Sequence, residues 1–186
     1  MKFMTRLMRR FSRDTDGSVT AEAVIVMPML IWAYLALFVY WDVFRSYNTV
    51  QKASYTISDL ISRQSEVDNK FLDGMLTIMN YLIDSDQNSK MRLTSVQWIE
   101  KDQKYVVLWS RSPGRGMTAL TNSTVQAFKS RIPEMADGNS VIMVETEVSY
   151  VPAFDAGIAP RTFSEFVVTR PRNGALRICL KSGCPI

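Results

Sequence analysis

The sequence predicts an α+β fold. A long N-terminal helix, membrane-spanning in its first half and amphipathic in its second, packs on a small antiparallel sheet. Three observations predict it. Residues 23–41 carry no charge. After them, apolar residues recur at alternating spacings of four and three as far as Ile61, with no Gly or Pro between. From about residue 91 the period changes to two, in four segments rich in β-branched and aromatic residues.

The uncharged run, AVIVMPMLIWAYLALFVYW, has nineteen residues, Ala23 to Trp41. As a helix it spans about 28 Å, close to a hydrocarbon core of about 30 Å. It is apolar all round, whereas a helix on a globular core shows a polar face. Trp32 and Tyr34 add aromatics within it, and Tyr40 and Trp41 suit a membrane–water boundary. A cleaved secretory signal has a shorter apolar stretch followed by small residues. Here the run ends in Phe38, Val39, Tyr40 and Trp41 with no such site after it, so the span is expected to be retained.

The flanks orient it. Residues 1–16 hold Lys2, Arg6, Arg9, Arg10 and Arg13 against Asp14 and Asp16, while residues 42–45 are roughly neutral. The positive-inside rule places the N-terminus in the cytoplasm and residues 42–186 outside. The net charge of the whole chain is +4, and without residues 1–22 it is +2. The excess sits mostly in the leader, so no nucleic-acid partner is indicated.

Past the span, Val43, Tyr47, Val50, Ser54, Ile57 and Ile61 form one stripe, with Asp42, Lys52, Asp59 and Arg63 off it. One helix from Val19 to Ser62 would be about 65 Å long; the alternative is two helices meeting near Asp42. Pro28 lies inside the span, as a hinge or as a tolerated early-helix proline. Residues 69–84 have a second helical pattern through Phe71, Leu72, Met75, Leu76, Met79, Leu82 and Ile83, in which Met75 and Met79 fill core.

Strands are predicted at 91–99 and 104–111, joined by a turn at Asp102 and Gln103, and PGRG (113–116) is a loop. Residues 121–132 suggest a short helix capped by Asn122 or Ser123 and stopped by Pro133. SVIMVETEVSYVP alternates, with Ile142, Val144, Val148 and Tyr150 on one face and Glu145 and Glu147 on the other. TFSEFVVTR is the fourth strand. Two hairpin-like pairs imply an antiparallel sheet whose apolar face the amphipathic helix covers. RPR at 170–172 is a basic strand end, with anion contact as the alternative.

Catalytic chemistry finds few carriers. The chain has no histidine, which removes the commonest general base and metal ligand. It has no phosphate-binding loop, dinucleotide fingerprint or nucleophile elbow. No cofactor, metal site or enzymatic activity is expected. Cys179 and Cys184 are the two cysteines, and outside the cytoplasm they are expected to pair. So short a loop would add about 2 kcal/mol.

The stretch DTDGSVTAEAVIVMPML raises a different possibility. A basic leader, then Gly17, polar Ser18, Glu22 as the fifth residue after the glycine, and an apolar helix resemble the class III signal of type IV pilins. With Pro28 the pattern resembles more closely the TadE/TadF/TadG-like pseudopilins of tight-adherence (Flp) pili. Gly17, Glu22 and Pro28 match that family's positions, and Ala23 stands where the family has an aromatic. The likeness is specific over about residues 13–62 and loose beyond, where EVSYVPAF and VVTRPR resemble the family's C-terminal half.

The resemblance implies a type IV pilin-like fold and four regions. These are a basic prepilin leader (1–17), a transmembrane helix (18–41), its amphipathic continuation (42–65) and an outer domain (66–186). It implies a membrane peptidase cut between Gly17 and Ser18 that leaves the apolar helix in place for assembly. It also implies that Glu22 of one subunit meets the Ser18 α-amine of a neighbour. A carboxylate inside a bilayer costs about 3 kcal/mol on insertion scales, so such pairing would favour assembly. The alternative is that Glu22 snorkels to the headgroups. The expected partners are membrane lipid, the prepilin peptidase, other pilins and the Tad secretion machinery, at the inner membrane or in the pilus. Two other classes of function compete: a single-pass signal-anchored envelope protein with an outer binding domain, and a membrane-tethered enzyme.

Overall fold

A computed structural model describes residues 18–83, 89–154, 157–175 and 177–179. Helix α1, Ser18–Ser62, runs for 45 residues without a break at Asp42, so the chain forms one helix where two were possible. Pro28 is held within it, at the cost of the bond its nitrogen would otherwise make one turn back. From Val19 to Phe38 the large apolar side chains point outward on every side; Trp32 is 63% and Tyr34 71% exposed. Among the described residues this is the one helix long and apolar enough to cross a membrane. The chain thus has the architecture of a single-pass anchored protein with a C-terminal domain.

Burial sets in at Val39 and then follows the amphipathic stripe. Val50, Ser54, Ile57 and Ile61 are buried, with Ala53 and Ser58 beside them. Each large aliphatic side chain so buried contributes about 1.5–3 kcal/mol. Val43 packs at the margin. Tyr47 stays more exposed than the stripe predicts, at 38%, with its ring set edge-to-face against Phe163 at 5.7 Å between centroids.

Strand β1, Glu66–Asp68, leads into helix α2, Asn69–Ile83. Asp68 caps that helix: its Oδ1 accepts the Phe71 N–H at 2.7 Å. Leu72, Met75 and Met79 of α2 are buried, as the helical spacing of 69–84 predicts. The main sheet has β2 (Ser89–Ile99), β3 (Lys104–Arg111), β4 (Ser140–Tyr150) and β5 (Arg161–Thr169) in the order β3-β2-β4-β5. All neighbours are antiparallel, so the two hairpins join through β2 and β4 at the centre. The β2–β3 turn falls where predicted, with Gln103 at φ 51°. Both helices cover one face of this sheet, over Met91, Leu93, Trp109, Ile142, Val144, Val148, Phe163 and Val167.

Three expectations need correction. Glu145 does not face solvent: it is 8% exposed and paired with Arg92. The reason is a second core on that face, where Val96, Tyr105, Val141 and Met143 are covered by Leu120, Val125 and Ile132. The covering segment is the region read as a short capped helix, and a short helix forms there without the predicted cap. It is a 3-10 helix, Thr124–Arg131, and Ser123 at its start makes no side-chain capping bond. Asn122 turns instead to β3, an edge strand, and accepts the Val107 N–H at 2.8 Å. Gln126 likewise donates to the Tyr105 carbonyl at 2.7 Å. These side chains satisfy edge groups that no neighbouring strand meets. PGRG, read as loop, holds a 3-10 turn at Pro113–Arg115, with Gly114 at φ 67°.

RPR directly follows β5 as a basic strand end, and it also ties the tail to the far end of α1. The Arg172 N–H donates to the Ser62 carbonyl at 2.8 Å, and its guanidinium to Asp59 at 2.8 Å. Asn173 donates to the Arg63 carbonyl at 3.0 Å. Orphan carbonyls at the helix end are thereby satisfied. Beyond this clamp, β6 (Arg177–Cys179) pairs with β1 in parallel, a contact with no signature in the sequence.

Candidate functional site

The exposed half of α1 is the first candidate surface. Ser18 and Glu22 lie four residues apart on one helix, hence on one face about one turn apart. Glu22 is exposed, and Pro28 follows within the same exposed stretch. Gly17 and the rest of the leader lie outside the described residues. Cys184 does too; of the cysteine pair, only the backbone of Cys179 is placed, opposite Asp68 in the β1–β6 pair. The backbone of Cys179 is therefore at the end of α1 opposite Glu22.

The second candidate surface is the junction where the apolar run of α1 ends and the helix meets the sheet. Asp42, the first charge after the apolar run, accepts a 2.6 Å hydrogen bond from the Tyr150 hydroxyl. Burial, and then the hydrogen bond and charge of Asp42, push the Tyr150 phenol up to about 12. The Tyr150 ring packs on Phe163 at 5.5 Å, and Phe163 meets Tyr47. The hydrogen bond between Tyr47 and Glu165, and then that carboxylate's charge, raise the Tyr47 phenol above its ordinary value. One turn toward the span, Phe38 touches Phe154, with centroids 6.5 Å apart. A groove of about 630 Å³ opens beside this cluster, lined by Tyr40, Phe44, Tyr47, Ile158, Arg161 and Phe163.

The sheet's other face holds a built ion pair. Arg92 grips Glu145 with two bonds of 2.7 Å and donates a third, of 2.6 Å, to the Thr118 carbonyl. Around it, Phe128 and Phe166 stack at 5.5 Å and 6°, with Arg92 over one ring and Arg131 over the other. This cluster clamps the 3-10 segment to the sheet. Both Glu145 oxygens and all three Arg92 nitrogens are engaged in doing so. Among the described residues no group of His, Cys, Asp and Glu is placed to hold a metal ion.

Sequence reasoning missed the junction. Asp42 read as a polar residue off the stripe, and Tyr150 as one core position among four. A tyrosine at the end of the buried face of a strand was the available signal, since a buried phenol needs a partner for its hydroxyl. Comparison with protein-family models, with curated proteins and with solved structures finds no match to this chain.

Proposed function

We propose that this chain is a minor pseudopilin, a structural and assembly subunit of a Tad-type pilus with no catalytic role. One observation carries the proposal: a single unbroken helix presents an apolar surface all round in its first half and packs on a sheet domain in its second. That helix serves two environments in turn, lipid before assembly and the helices of neighbouring subunits after it. The likeness of Gly17, Glu22 and Pro28 to the pseudopilin pattern supports the same reading.

In this proposal a prepilin peptidase cuts after Gly17, removing the basic leader and freeing an α-amine at Ser18. Glu22 of one subunit meets that amine on a neighbour, and the domain stands on the outer side of the inner membrane. The subunit then serves pilus biogenesis, adherence and secretion together with other pilins and the Tad machinery. Intact mass or N-terminal sequencing of protein purified from envelopes that contain the cognate peptidase tests it. The expected chain starts at Ser18. A chain still starting at Met1 would reject the pseudopilin proposal in favour of a plain signal-anchored protein with an outer binding domain.

A further inference from the structure

We propose that residues 151–154, at the span-facing end of β4, are seated in the bilayer interface, so that the domain rests on phospholipid. The inference depends on residues 18–41 being a membrane span. Strand β4 runs antiparallel to the second half of α1. Thr146 meets Ser54 at 2.8 Å, Tyr150 meets Asp42 at 2.6 Å, and Phe154 then meets Phe38. Following the strand therefore means descending toward the span.

Phe38 lies four residues before Asp42, about 6 Å deeper along the helix. It belongs to the uncharged run, and a ring packed against it shares its depth. Phe154 nevertheless keeps 52% of its surface exposed, and Val151 keeps 64%. Apolar side chains left open at that level face the boundary of acyl chains and headgroups, where Phe and Leu side chains of surface-lying segments insert.

The groove continues this surface outward. Phe44 and Tyr47 lie about 3 Å and 8 Å beyond Asp42, in the headgroup layer, which is about 5–8 Å thick on each side. Arg161 lines the same groove and is exposed, and a guanidinium at that level suits a lipid phosphate. The occupant is lipid because the patch is continuous with the span surface through the Phe38–Phe154 contact.

Photo-crosslinking of the full chain tests this. Phe38, Phe154 and Tyr81 are replaced one at a time by p-benzoylphenylalanine. Each protein is reconstituted in phosphatidylethanolamine–phosphatidylglycerol vesicles and irradiated, and adducts are identified by mass spectrometry. Tyr81 on α2 is 84% exposed and serves as the control on the domain surface. Lipid adducts at positions 38 and 154 and none at 81 are expected. Adducts at 38 without any at 154 would overturn the proposal and leave the span intact. A chain-to-chain product at 154 would overturn it in favour of a second copy, and adducts at all three positions would remove its localisation. Absence of lipid at 38 would overturn the span itself.

Discussion

The hydroxyl of Tyr150 donates a 2.6 Å hydrogen bond to the carboxylate of Asp42, across 108 residues of chain. It joins the end of the central strand β4 to the first charged residue after the apolar run. The sheet is thereby fastened where the apolar run of the helix ends. Ser54 and Thr146 fasten the same pair of elements further along, through buried hydroxyls 2.8 Å apart.

Tyr150→Phe keeps the ring packing on Phe163 and removes the donor. It should cost about 1.5–3 kcal/mol, the range for a hydrogen bond to a charged group. Urea unfolding of the full chain in micelles measures it. The phenol's folded value of about 12 lies above its ordinary 10.0. The stability tied to it is therefore fully present below pH 10 and is lost as pH rises from 10 toward 12. Ultraviolet titration should show the latest-ionising tyrosine of the wild type missing in Tyr150→Phe, while the raised Tyr47 and Tyr105 still ionise after the ordinary phenols.

Ile57→Asp places a charge at a fully buried position among Met, Leu and Val side chains. The loss should be several kcal/mol. A melting curve unchanged from wild type would sink the packing of α1 on the sheet.

Arg92→Met should cost about 3–5 kcal/mol, because Glu145 is left buried without its cation. The double variant Arg92→Met/Glu145→Leu should recover much of that loss by removing the stranded charge. Unfolding free energies of wild type, both single variants and the double close the cycle. If the double variant is as unstable as the sum of the singles, the pair is not acting as a unit.

Gly17→Arg and Glu22→Ala should separate processing from assembly. The arginine crowds the cleaved backbone and should leave the leader attached, whereas the alanine lies away from the bond and should be cut normally. Filament incorporation should fail in both. Immunoblots of envelopes and sheared pili read the two steps separately, and normal incorporation of Glu22→Ala would remove the proposed pairing with Ser18.

Cys179 and Cys184 should resist thiol labelling in protein taken from envelopes without reductant. Full labelling of both would place the domain in the cytoplasm or show the bridge to be absent.

Local pattern alone determined the helices and strands. The uncharged run, the four-and-three stripe to Ile61 and the period-two segments are each written in consecutive residues, because burial against any partner demands the same spacing. They located α1, α2 and the four long strands with little error at the ends. Gly17, Ser18, Glu22 and Pro28 were singled out by resemblance to a short linear motif and not by periodicity. What only the tertiary structure decided is which face meets what. Glu145 alternates like a solvent-facing residue, and nothing nearby in sequence says that residues 120–132 will cover it or that Arg92 will neutralise it. Asn122 looks like a helix cap until an edge strand with an unpaired N–H comes within reach. Asp42 and Tyr150, and β1 and β6, meet across 100 residues or more, where no periodicity carries information. Such partners are selected by the need to satisfy each buried polar group once the backbone has brought them together, and that need appears only in the folded chain.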